Sequence, residues 1–286
     1  YKYTTRERRM VLVAAALASF LSPFLGSMVN VAIPAIGEAY VATAESLAML
    51  STAYLISSVM FMVPAARIAD ILGRKKIFLA GIFLLAVSSI LAPFSPSIEI
   101  LILCRIIEGV GVAAITSNSI ALLSAVYPPQ KRGAVIGYAV SAVFLGLSAG
   151  PVLGGVLTQI LGWESIFYFV VVLAVFTFAA IWFSISHDIR ENEGEPYDYI
   201  GTCVYMLLIL TLVLGLIDLP KPWAVGLLAV VCVVLLPLVV FVEKRTQNPV
   251  FALRHFSGKR VFTRGNLATV INFGATYAIS FFLSLY

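Results

Sequence analysis

Charge is the scarcest property of this 286-residue chain: Asp, Glu, Lys and Arg together make up 12% of it, against 61% hydrophobic residues. Soluble domains carry about 25% charged and about 45–50% apolar residues, so this chain has too little polar surface to coat a globule in water. Histidine is limited to His187 and His255, both beside loops, and no ligand cluster surrounds either, so neither a metal nor a cofactor is expected. The three cysteines, Cys104, Cys203 and Cys232, all fall inside apolar runs, which excludes an extracellular disulfide scaffold and favours buried, inert thiols. No nucleophile with a base and no phosphate loop appears, so an enzyme is not expected. The net charge of +5 would suit nucleic acid only if the cations clustered on one solvated face, and here they sit in short gaps between apolar runs.

What the chain has in abundance is long apolar runs, and its mean hydropathy is +1.02. Segments of about 20 apolar residues cross roughly 30 Å of hydrocarbon. They recur near residues 10–36, 47–66, 76–93, 98–125, 133–161, 165–185, 199–217, 223–242 and 265–286, which describes an all-α polytopic membrane protein. The first run exceeds a signal-peptide core and is followed by a second, so it is expected to be retained. Of the 19 Lys and Arg residues, 17 fall in one alternating set of loops. The opposite set holds only Lys221, and Arg105 lies within a span. Positive loops stay in the cytoplasm, which places the N-terminus there and the end of a ninth span outside. The chain opens on Tyr1 rather than Met and stops at Tyr286 within an apolar run, as the first part of a longer polypeptide would.

Between the second and third spans stands Ala66-Arg67-Ile68-Ala69-Asp70-Ile71-Leu72-Gly73-Arg74-Lys75-Lys76. A turn at Gly73, with Asp70 flanked by Arg67 and Arg74 at i−3 and i+4, predicts an ionic clasp at the membrane edge. A positive-inside anchor would explain the cations but neither the acid nor the glycine. The string resembles the loop signature of the major facilitator superfamily, G-x-L-A-D-x-x-G-R-K-x, with Ala66 in place of the first glycine. The resemblance implies that Asp70, Gly73 and Arg74 serve conformational switching, the aspartate latching against a helix of a second six-helix half.

Five further strings carry the same resemblance. The fifth span reads Gly146-Leu147-Ser148-Ala149-Gly150-Pro151-Val152-Leu153-Gly154-Gly155; small residues four apart let helices approach, and Pro151 removes a backbone donor. Plain packing accounts for a single G-x-x-x-G, whereas the whole string is similar to the antiporter signature of proton-coupled exporters, which adds Gly146, Gly150, Pro151, Gly154 and Gly155 to the switching set. The fourth span holds Arg105-Ile106-Ile107-Glu108-Gly109-Val110-Gly111. A charge near the bilayer centre costs about 2.5–3.5 kcal/mol on insertion scales, so Arg105 and Glu108 should face an interior cavity and pair. This resembles the family's R-x-x-Q-G-x-G-x-A motif, with Glu108 in place of glutamine, and implies proton coupling at Arg105 and Glu108; a static ion pair tying helices together is the competing reading. Phe24-Leu25-Gly26-Ser27-Met28-Val29-Asn30-Val31-Ala32-Ile33-Pro34 looks like the drug exporters' L-D-x-T-x-V-N-V-A-L-P, with Leu25 in place of the acid. Gly162-Trp163-Glu164-Ser165-Ile166-Phe167 and Tyr197-Asp198-Tyr199-Ile200-Gly201 resemble the entry to the sixth helix and the opening of an extra helix pair.

The resemblance implies the fourteen-helix drug:proton antiporter branch. Residues 1–186 would form a six-helix transporter bundle, 187–198 a cytoplasmic loop, 199–245 the extra pair, 246–264 a cytoplasmic linker and 265–286 the first helix of an incomplete C-terminal bundle. The expected partners are a small organic substrate, protons, the lipid of the plasma membrane and the missing C-terminal half, with no nucleic acid. Asn30, Tyr54, Asn118 and Gln159 are candidate polar contacts in a midplane cavity walled by spans one, two, four and five. Two alternatives stay open: a sugar or metabolite permease on the same fold, and a truncated membrane component that does not transport.

Overall fold

The computed structural model describes residues 3–185, 188–217, 219, 221–250, 263–272 and 274–275. Among them there is no strand. Eight long helices follow one another: α1 (Thr5–Tyr40), α2 (Ala44–Leu72), α3 (Arg74–Leu91), α4 (Ile98–Val126), α5 (Pro129–Leu161), α6 (Glu164–Trp182), α7 (Tyr199–Ile217) and α8 (Pro222–Arg245). Residues 263–272 are also helical. Seven of these helices are long and apolar enough to cross a membrane by length and composition. The fourth has the 29-residue length of the second but carries Arg105 and Glu108 in its interior face. The second part of the ninth expected span, with Tyr286, lies outside the described residues, as do His187, His255, Lys2, Arg254, Lys259 and Arg260.

Helix limits outrun the apolar runs because polar caps, not hydropathy, set the ends. Thr4 forms a capping box with Glu7: its hydroxyl accepts from the Glu7 N–H at 3.2 Å while its own N–H donates to Glu7 Oε2 at 2.7 Å. Thr43 accepts from the Ser46 N–H at 3.2 Å and so starts α2 three residues before its apolar run. Helix α8 is continuous but contains a π-helical turn at Val231–Leu235. Pro23 and Pro34 lie within α1, Pro64 within α2 and Pro151 within α5; each removes one backbone donor from its helix.

Helix α1 packs chiefly on α5 and then α6, α2 on α4, and α3 on both α4 and α6. Helices α7 and α8 pair with each other and meet the bundle through α7 against α2. The bundle interior is filled by Phe24, Leu25, Met28 and Ile36 of α1, Leu50 of α2, Phe78 and Leu85 of α3, and Phe167 of α6, all wholly buried. Outward-facing side chains such as Phe83, Phe176 and Val233 are exposed and apolar, the inverse of a soluble surface. Lipid is as apolar as leucine, so helix association in such a bundle depends on van der Waals fit and close approach rather than on expulsion of water. That gives the small residues of α4 and α5 their importance below.

Candidate functional site: a recess, a buried ion pair and a charged strap

Glycines on one face of α5 bring it against α1. A Cβ on Gly150 would stand 2.6 Å from Ser27 Cβ, and one on Gly154 would stand 2.9 Å from Met28 Cα. At Gly146 it would overlap the Phe20 carbonyl oxygen. Gly155 faces α1 more loosely, a Cβ there meeting only Val31 Cγ1 at 3.8 Å, and Pro151 is exposed, so neither is part of the close approach. Beside the seam α1, α2, α4 and α5 enclose a recess of about 340 Å³, bordered by Ser27, Asn30, Ser51, Tyr54, Ser58 and Arg105 among others. Asn30 and Tyr54, two of the four polar candidates, both border it. Asn118 and Gln159 do not: Asn118 is buried on α4, donating to the Ala114 carbonyl at 2.7 Å, and Gln159 is exposed towards the end of α5. Leu25 is wholly buried in the apolar core and does not line the recess.

Arg105 and Glu108, one turn apart on α4, are 1% and 0% exposed and pair at 2.5 Å. The Arg105 guanidinium also lies over the Tyr54 ring, 4.2 Å from its centroid, and its Nε faces the Leu50 carbonyl at 3.5 Å. Tyr54 is held in place by its hydroxyl, which donates to the Ser22 carbonyl at 2.8 Å. On the other side Ser89 of α3 donates to Glu108 Oε1 at 2.6 Å. The expectation that both charges face a cavity needs correction: Arg105 borders the recess, whereas Glu108 is turned behind it into the α3–α4 contact. Helix α4 can come close enough for this because Gly109 and Gly111 pack on α2 and α3; a Cβ on Gly111 would meet the Gly81 carbonyl oxygen at 2.7 Å. Ser89 was not singled out from the sequence, where it is one of two adjacent serines in an apolar run.

At the end of the bundle that carries the α2–α3 turn, Asp70 and Arg74 form the expected pair at 3.0 Å. Arg67 does not join it. It reaches Glu195 at 2.5 Å, and Arg74 also takes Glu191 at 2.7 Å, so the segment after α6 competes for both cations. That segment crosses the turn as a strap. The N–H groups of Glu191 and Asn192 donate to the Asp70 carbonyl at 3.2 and 3.0 Å, and the Arg74 N–H donates to the Ile189 carbonyl at 2.9 Å. Asp188 caps α3, its carboxylate accepting from the N–H groups of Lys75 at 2.8 Å and Lys76 at 3.2 Å, where the helix dipole favours an anion. Gly73 makes room for this carboxylate and adopts φ +122, a conformation that side chains rarely take. The signal for the strap is present in the sequence as the acids Asp188, Glu191, Glu193 and Glu195 gathered in one polar stretch.

The family model of the Major Facilitator Superfamily matches residues 15–286. The chain is 31% identical over 286 residues to the lincomycin resistance protein of Streptomyces lincolnensis, covering 98% of this chain and 58% of that protein. It is 29% identical to the multidrug resistance protein Stp of Mycobacterium tuberculosis, covering 88% of this chain and 48% of the relative. It is also 29% identical to the uncharacterized MFS-type transporter YvkA of Bacillus subtilis, covering 99% of this chain and 63% of that protein. The chain thus spans about half to two thirds of the length of these relatives. Among solved structures, a bacterial homologue of the human lysosomal transporter Spinster superposes with a TM-score of 0.59 at 18% identity, covering 74% of this chain and 52% of that one. The human organic anion transporter MFSD10 gives 0.58 at 16% identity, covering 72% and 55%. At such identities the structures speak for the fold alone, but the family match spans nearly the whole chain: this multi-pass membrane protein belongs to the Major Facilitator Superfamily.

Proposed function

We propose that this chain supplies the first half of a proton-driven exporter of small organic compounds, operating by alternating access at the plasma membrane with its N-terminus in the cytoplasm. The observation that carries the reading is the buried Arg105–Glu108 pair, one end of which borders the recess. The resistance proteins among its relatives support an organic cargo. In this scheme a proton reaching Glu108 cancels its charge and releases Arg105 from a 2.5 Å contact, so the guanidinium can turn to the recess and alter what it holds. Loss of the proton restores the pair. Ser89 keeps one carboxylate oxygen engaged in both forms, since its hydroxyl can donate to a carboxylate or accept from a carboxylic acid. One proton entering at about 100 mV and one pH unit supplies roughly 3.7 kcal/mol, enough for a gradient of several hundred-fold in a neutral compound.

The same scheme assigns the Gly146–Gly150–Gly154 seam to rigid packing of α1 on α5, and Asp70 with Arg74 to switching between states. The α7–α8 pair would stand between this six-helix bundle and a second one, in the fourteen-helix layout. Residues 246–264 would be the linker, and 265–286 the start of the second bundle. The test uses Glu108→Gln in proteoliposomes holding the intact transporter polypeptide. Uphill export driven by a pH gradient should be lost while downhill exchange is partly retained. Intact uphill export in that variant would make Glu108 a structural partner of Arg105 and place coupling elsewhere.

A further inference from the structure

We propose that the recess selects neutral, hydroxyl-bearing amphiphiles over lipophilic cations, an inference that rests on the export reading and names its substrate class. Among the described residues, none of those bordering the recess carries a carboxylate, and its one full charge is Arg105. The Arg105–Glu108 pair is neutral as a whole, but its positive end lies at the recess and its negative end is turned away to Ser89. A cation entering here meets the wrong end of that dipole, in surroundings where water screens little.

The hydroxyl groups decide the rest. Ser27 donates to the Leu147 carbonyl at 3.3 Å, Ser51 to Asn30 Oδ1 at 2.7 Å, Tyr54 to the Ser22 carbonyl at 2.8 Å and Ser58 to the Leu55 carbonyl at 2.8 Å. Each of these four protons is thereby engaged within the protein, and Ser22 adds a fifth hydroxyl bordering the recess. What four hydroxyl oxygens at the recess keep for a ligand is lone pairs, which call for donors. The Asn30 amide N–H₂ and the guanidinium supply the complementary donors for a ligand oxygen. A hydroxyl group both gives and takes, so it suits both sets. The intervening apolar wall, including Leu55 and Leu147, takes the carbon framework.

The test compares two probes with the intact transporter: 4-methylumbelliferyl glucoside, neutral and rich in donors, and tetraphenylphosphonium, a permanent cation with none. Binding is measured by calorimetry in micelles and export by pH-driven flux in proteoliposomes. The glucoside should bind at least about tenfold more tightly than the cation, the worth of one or two hydrogen bonds. Ser51→Ala, which removes an acceptor and leaves Asn30 Oδ1 without its donor, should weaken glucoside binding about five- to tenfold. Leu55→Asp, which places a carboxylate on the wall of the recess, should shift preference towards the cation. Tighter binding of tetraphenylphosphonium to the unaltered protein would overturn the assignment, and its pH-driven export would leave the export reading standing. Glucoside binding without pH-driven movement would sink the export reading and keep the substrate class. Binding of neither probe would overturn the substrate class.

Discussion

Gly150 and Gly155 are near neighbours on α5, yet the geometry requires them to respond oppositely to the same methyl group. At Gly150 the added carbon would lie 2.6 Å from Ser27 Cβ, 2.8 Å from Ser27 Oγ and 3.1 Å from the Phe24 carbonyl oxygen, so α1 or α5 must shift. Overpacking of this kind costs about 1–3 kcal/mol, and the better helix propensity of alanine offsets up to about 1 kcal/mol of it. The net expectation for Gly150→Ala, with that offset in full, is a loss of about 0–2 kcal/mol. Gly155→Ala meets only Val31 Cγ1 at 3.8 Å, an ordinary contact, and should be neutral or stabilising by up to about 1 kcal/mol. The pair can be read by equilibrium unfolding of the purified transporter in mixed micelles, followed by tryptophan fluorescence. Ser27→Gly combined with Gly150→Ala removes the two nearest atoms and should recover at least half of the loss, a coupling that a double-mutant cycle isolates. Gly150→Leu goes beyond any such relief and should abolish transport. Equal responses of the two alanine variants, within about 0.5 kcal/mol, would refute the assignment of the glycine face to the α1 seam.

Three other outcomes are expected. Asp70→Asn should slow transport while leaving substrate affinity within about threefold, below roughly 0.7 kcal/mol, because Asp70 lies with the strap and away from the recess; rapid-mixing flux against equilibrium binding separates the two effects, and a large affinity loss with normal turnover would reverse the assignment. Gly73→Ala should destabilise the turn by about 1–3 kcal/mol, since its φ is +122 and the new carbon would overlap the Asp188 carboxylate; proteolysis of the α2–α3 turn reads this out, and wild-type resistance would show the strap to be dispensable. Arg67→Gln should remove the guanidinium that Glu195 meets without disturbing the Asp70–Arg74 pair, so amide hydrogen exchange at Glu195 should speed up while that at Glu191, bonded to the Asp70 carbonyl, should not; equal changes at both would refute it.

The class of the protein and the existence of its helices were decided by the sequence alone, because a 61% hydrophobic chain arranged in runs of about 20 has no other place to bury its backbone than as membrane helices. The Arg105–Glu108 and Asp70–Arg74 pairs were legible for a related reason: residues three or four apart on a helix are neighbours wherever the helix goes. Contacts between helices had no such local rule. Glu108 turns to Ser89 because α3 packs against α4, and Arg67 passes over Asp70 to Glu195 because the segment after α6 folds back across 128 residues of sequence. Asn30 and Tyr54 share a recess while Asn118 and Gln159 do not, although all four are polar residues within or near apolar spans. Which face of a helix looks inward depends on its rotation about its own axis. In a chain this uniformly apolar the hydrophobic pattern sets that rotation weakly, and the close approach of glycines at Gly111, Gly150 and Gly154 sets it instead.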